Sequence, residues 1–165
     1  MQRLESTPRA CVVFVVEPEE VASRLIPAYT HCDVYLSGFV FYAVPDERIL
    51  HNYLIRLRMN EMTPASLPTY LASHDSEVRE YFYSNWDELF GLDKNDTAWL
   101  HGREQYIESE YTKFVRGNLE EQLKKYRVDY VVSEKPLSKN LLKQLPHLAE
   151  RQPAGIFHMY SFTRI

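Results

Sequence analysis

Between Asn118 and Leu148 the sequence NLEEQLKKYRVDYVVSEKPLSKNLLKQLPHL reads as a helix, a strand and a second helix without interruption, and this stretch restricts the fold more than any other. Leading into it, Tyr111, Phe114, Leu119, Leu123 and Tyr126 recur at helical spacing, with Glu120, Glu121, Lys124 and Lys125 on the opposite face. Such a stripe must be buried against something. Val128, Tyr130, Val131 and Val132 follow, a β-branched and aromatic run that suits a strand covered on both faces. Ser138 is a candidate N-cap for a short helix with Leu141, Leu142 and Leu145 inward, and Pro146 ends it because its ring cannot continue the hydrogen-bond ladder.

The N-terminal part repeats the theme. Residues 1–9 are polar and read as an entry segment, after which Ala10 to Val16 (ACVVFVV) is the most hydrophobic strand in the chain and is expected at a central position. Glu17-Pro18-Glu19-Glu20 opens a helix whose acidic first turn complements the helix dipole, with Val21, Leu25 and Ile26 inward, and Asp33 to Leu36 is a second strand. Strand, helix and strand in this span predict a right-handed βαβ crossover. The strands Cys11–Val16 and Val128–Val132 are expected to be adjacent and parallel, because both are hydrophobic enough to need cover on two faces. Residues 38–44 either extend the second strand or form a short one of their own.

The middle is helical. Ile49, Leu50, Tyr53, Leu54 and Leu57 predict a helix over 46–59 with Asp46 as candidate cap; Glu77 to Phe90 predicts another, stopped by Gly91; and Asn95 or Asp96 is a candidate cap for a long helix toward Tyr126, interrupted near Gly117. Tyr53, Leu57, Tyr81, Phe82 and Trp86 are the expected secondary core of this insertion. At the end, Gln152-Pro153-Ala154-Gly155 separates two apolar segments and predicts a β-hairpin. The fold class is therefore α/β: a three-layer, Rossmann-like sandwich with a mostly parallel central sheet, a helical insertion over 46–117 and a C-terminal β-hairpin, in one domain over 10–165.

With 165 residues the chain is long enough for one sizeable core. A formal net charge of −4 with only small basic clusters argues against a nucleic-acid partner. No run approaches the ~18–20 apolar residues that span a bilayer. Cys11 and Cys32 make no CxxC pattern, and the six histidines make no HxH or HExxH spacing, so neither a metal nor a cofactor is expected. The two cysteines are either buried thiols or a disulfide, and their place at the starts of two paired strands brings them near one another. Asp93 to Glu104 fails as a calcium loop because Ala98 stands where the sharp turn needs glycine. Asn95-Asp96-Thr97 is a formal glycosylation triplet, but one such triplet is expected fairly often by chance and has value only in a eukaryotic secreted setting.

No nucleophile–base pair suggests itself, and no catalytic residue is assigned; His31 beside Cys32 on a strand points to the opposite face. Candidate ligand-binding residues are Glu17, after the first strand, and Ser133, Glu134 and Lys135, after the strand in the organising stretch. If the strands are parallel, these polar groups meet at the carboxyl edge of the sheet, the usual ligand side of an α/β fold. Loop charges exposed to solvent, with no ligand, are the simpler reading of the same residues.

One resemblance extends this reading. Thr7-Pro8-Arg9-Ala10 before CVVFVV, IPAYT over 26–30, DVYLS over 33–37, YRVDYVVSEKP, LLKQLPHL and the closing hairpin together resemble the soluble C-terminal region of polytopic membrane glycosyltransferases, the family that includes dolichyl-phosphate-mannose mannosyltransferases and oligosaccharyltransferase-like proteins. The likeness covers both ends of the chain and not residues 46–117. It implies a non-catalytic soluble domain on the extracytoplasmic face of the cytoplasmic membrane, serving stability, acceptor contact or partner docking. The implied partners are the membrane-embedded part of a parent chain and a glycan or protein acceptor. In that compartment a Cys11–Cys32 disulfide becomes possible. The alternative is a free-standing α/β module that binds a small ligand at its sheet edge.

Overall fold

The computed structural model describes residues 10–16, 25–35, 44–83, 87, 89–151 and 157–162. The chain forms two compact units, one from residues 1–37 with 118–165 and one from residues 38–117.

The first unit is built on a five-stranded sheet. Its strands are β1 (Cys11–Val15), β2 (Cys32–Val34), β3 (Tyr130–Ser133), β4 (Leu148–Glu150) and β5 (His158–Phe162), in the order β2-β1-β3-β5-β4. β1 pairs in parallel with both β2 and β3, as the hydrophobic character of β1 and β3 predicts, and neither strand lies at an edge. β5 runs antiparallel to β3 and to β4. The sheet is thus mixed rather than mostly parallel. The physical reason is the C-terminal hairpin: β4 runs the same way as β3 two places away, and β5, joined to β4 by a connection too short for a crossover, folds back into the gap and so runs antiparallel to both.

Both faces of the central strands are covered. On one face Val15, Val132 and Met159 stand in register with Cys11, Val13, Ile26 and Cys32 around them; on the other, Phe14, Val131 and Tyr160 stand in register. Phe14 meets Tyr35 with ring centroids 5.4 Å apart, and Tyr35 in turn meets Tyr126 edge-on. Below the first rung of the β1–β3 ladder, Asp129 takes over the pairing: its carboxylate accepts the Val12 N–H at 2.9 Å while its own N–H donates to the Val12 carbonyl at 2.8 Å. This is why β3 begins at Tyr130 rather than at Val128.

The single stripe expected from Tyr111 to Tyr126 is divided. A helix over Thr97–Phe114 ends before Gly117, and a new one over Leu119–Leu123 starts with the Asn118 side chain accepting the Glu121 N–H at 3.1 Å. Tyr111 therefore belongs to the second unit, and Leu119 and Leu123 to the first. A further helix, Lys139–Gln144, is capped by Ser138, whose hydroxyl accepts the Leu141 N–H at 3.1 Å.

The second unit is all helical as described: α1 (Asp46–Met59), α2 (Leu67–Ser73), α3 (Asp75–Phe82) and α4 (Thr97–Phe114); the helices of the first unit are then α5 (Leu119–Leu123) and α6 (Lys139–Gln144). The expected cap Asp46 is instead the first residue of α1, because Pro45 precedes it with its φ fixed by the ring. Asp96 does cap α4, its carboxylate accepting the Ala98 N–H at 2.8 Å. α3 ends at Phe82 rather than running to Phe90, while Gly91 adopts a φ of 82°, where the missing Cβ removes the steric cost. Tyr53, Leu57, Tyr81 and Phe82 are buried here as expected, and Trp86 lies outside the described residues. His51 is buried as well, packed edge-on against Phe114. The expected helix over 17–26 is described only from residue 25, and the strand over 33–36 only as Cys32–Val34; residues 38–43 and the hairpin turn at 152–155 also lie outside.

Candidate functional site

The carboxyl edge of the parallel strands is formed where β1 ends at Val15 and β3 at Ser133, the Val16 N–H donating to the Val132 carbonyl at 2.9 Å. Of the four residues expected there, Glu17 lies outside the described residues. Ser133 is buried, and its hydroxyl donates to the Lys135 carbonyl at 2.7 Å, folding the chain back on itself immediately after the strand. Glu134 and Lys135 are exposed on the loop this creates.

That loop is fixed from beneath by a residue that sequence reasoning placed in the hairpin and gave no role. The Tyr160 hydroxyl, on the neighbouring antiparallel strand and only 1% exposed, accepts the Leu137 N–H at 3.0 Å. Burial raises the Tyr160 phenol above its ordinary value and the Glu150 charge adds to this, while hydrogen bonds with Leu137 and Ser133 pull the other way. Ser133, Leu137 and Tyr160 thus hold the two ends of a loop whose three exposed members are Glu134, Lys135 and Pro136. With one carboxylate and one ammonium the loop can orient a polar or ionic partner. It offers no paired acid and base at hydrogen-bond distance.

Cys11 and Cys32 stand opposite one another in the β1–β2 register, with Cα atoms 4.3 Å apart, and are joined as a disulfide. Both are buried. The bond ties the three-residue edge strand β2 to the core of the sheet.

Two polar networks lie elsewhere. In the helical unit, Glu77 of α3 accepts hydrogen bonds from the Tyr53 hydroxyl at 2.8 Å, from Arg56 at 2.5 Å and from the Tyr70 hydroxyl at 3.0 Å, which pins α1, α2 and α3 together. Burial, reinforced by the Glu77 charge, pushes the Tyr70 phenol up to about 12 and raises Tyr53 further still. In the sheet unit, Glu120 of α5 accepts from Lys124 and from both the backbone and the ring of His147, the last at 2.9 Å. Burial works to raise the Glu120 carboxyl, but these hydrogen bonds and the Lys124 charge outweigh it and hold it below the usual carboxylate range. In both networks the carboxylate is already engaged by neighbouring donors, as expected of groups that fasten elements together. The spacing of Glu120 and Lys124 is visible in sequence, whereas His147 and the Tyr53–Tyr70–Glu77 grouping depend on helix packing.

Among the described residues no group of three or more His, Cys, Asp or Glu side chains is placed to hold a metal ion, and no helix is long and apolar enough to cross a membrane. Set against known proteins, the chain matches no family model, no curated protein and no solved structure.

Proposed function

We propose that this chain is a non-catalytic module of a membrane glycosyltransferase-like protein, working on the extracytoplasmic face, whose sheet edge makes the contact with a glycan or protein acceptor or with the membrane-embedded part of its parent chain. The observation that carries the reading is the Glu134–Lys135 loop, exposed at the carboxyl edge of the parallel strands and held in one shape by Ser133 and Tyr160. A polar loop held in place before a partner arrives loses less entropy on binding, which is what recognition at an edge requires. The Cys11–Cys32 disulfide supports the compartment, since such bonds persist where the surroundings are oxidising.

The test is a glycan microarray probed with the purified chain, followed by titration of any hit and an assay for sugar transfer from a polyprenyl-phosphate donor. Saturable binding is expected, weakened about tenfold or more by Lys135→Met or Glu134→Gln, in line with ~1.4 kcal/mol for one charged contact, and without transfer. Sugar transfer that disappears on Glu17→Gln or Glu134→Gln would overturn the reading in favour of an enzyme.

A further inference from the structure

We propose that Asn95 is a glycosylation acceptor, and that the glycan it carries covers the exposed apolar segment beside it. The inference shares with the functional reading only the oxidising, extracytoplasmic setting, and makes no use of the sheet edge.

The sequence holds one Asn-x-Ser/Thr triplet, Asn95-Asp96-Thr97. The structure sets both of its reacting groups in the open. Asn95 lies in the turn that leads into α4 and Thr97 is the first residue of that helix; both are exposed, and neither side chain makes a hydrogen bond among the described residues. The turn around them is anchored by other groups. Asp93 accepts the Asn95 N–H at 2.8 Å on its carboxylate and the Asp96 N–H at 2.9 Å on its carbonyl, Asp96 caps α4, and Arg79 of α3 donates to the Lys94 carbonyl. A glycan on Asn95 therefore displaces no side-chain hydrogen bond of Asn95 or Thr97 among the described residues.

A second observation gives the glycan something to do. Leu89, Phe90 and Leu92 are 71%, 79% and 39% exposed, an apolar segment of a kind that soluble surfaces usually cover. Leu92 is three residues from Asn95, within about 10 Å along even a fully extended chain. A branched oligosaccharide reaches farther than that.

In the step itself, the Asn95 amide nitrogen Nδ2 forms a bond to the anomeric carbon of the first sugar of a lipid-diphosphate-linked oligosaccharide. The bond from that carbon to the diphosphate oxygen breaks, and the lipid diphosphate leaves with the bonding pair. One amide proton passes to a base of the transferase. Nothing is oxidised or reduced.

The experiment exports the full chain to the periplasm of a bacterium supplied with an N-oligosaccharyltransferase and its lipid-linked donor. A second Asp-x-Asn-x-Thr sequence on a flexible C-terminal tail serves as internal standard, and peptide mass mapping reads occupancy. Asn95 is expected to be occupied in the parent chain and in Thr97→Ser, and bare in Asn95→Gln and Thr97→Ala, with the tail occupied throughout. A bare Asn95 in the parent chain beside an occupied tail overturns the proposal. So does occupancy that survives Thr97→Ala.

Discussion

At the scale of single residues, the most distinctive groups are phenols whose ionisation the fold suppresses. Tyr70, beside Glu77, and Tyr111, whose hydroxyl donates to the Met62 carbonyl at 2.6 Å, are both pushed up to about 12, in each case first by burial. In the unfolded chain the same phenols ionise near ~10. Between those values the unfolded state has lost protons that the folded state still holds, so stability is complete below about pH 10 and falls as the pH rises toward 12. Equilibrium denaturation across this window is expected to show the decline, and Tyr70→Phe with Tyr111→Phe is expected to make it shallower, with Tyr53 and Tyr160 supplying what is left. Ultraviolet titration of the folded protein should show these two phenols ionising after the exposed ones. A flat stability profile in the parent chain would contradict the assignment.

At the scale of elements, β2 is the strand with the least of its own to hold it. It has three residues and one strand neighbour, and Cys32 supplies its covalent tie to β1. The disulfide closes a loop of 21 positions, for which restriction of the unfolded chain is worth on the order of 3 kcal/mol. Chemical denaturation with and without a thiol reductant is expected to differ by about that amount, and the Cys11→Ala, Cys32→Ala double variant is expected to be insensitive to reductant. Amide exchange should place the loss first in β2. The elements themselves were mostly readable: the caps Asp96 and Ser138 and the parallel pairing of β1 with β3 follow from residue type and spacing. The extended α3 did not survive, since the chain turns extended at Tyr83, while the break between Tyr111 and Tyr126 falls where the interruption near Gly117 was expected, with Asn118 capping the new helix.

At the scale of the whole chain, the helical unit carries a core of its own. Tyr53, Ile55, Leu71, Val78, Ile107 and Tyr111 are fully buried, and the Glu77 network and the bond from Tyr111 to Met62 are internal to residues 44–117. A fragment of residues 44–117 is therefore expected to show helical circular dichroism and a cooperative thermal transition. A non-cooperative, gradual loss of signal would mean that the insertion depends on the sheet unit for its order.

Residue type and periodicity were enough to identify an α/β chain, to pick out β1 and β3 as doubly covered neighbours, to mark the C-terminal hairpin strands and to find most helices, because each of these is dictated by which side chains must leave water and at what spacing. They also located Ser133, Glu134 and Lys135 at the end of a strand. Their places at the starts of two paired strands also brought Cys11 and Cys32 near one another, as the register and the disulfide show. Two things had to wait for the folded molecule: the antiparallel entry of β5 that makes the sheet mixed, and the use of the Tyr160 hydroxyl to hold the Glu134–Lys135 loop. Each joins residues far apart in the sequence, and local spacing carries no record of which distant backbone or hydroxyl will satisfy a given polar group once the core has closed.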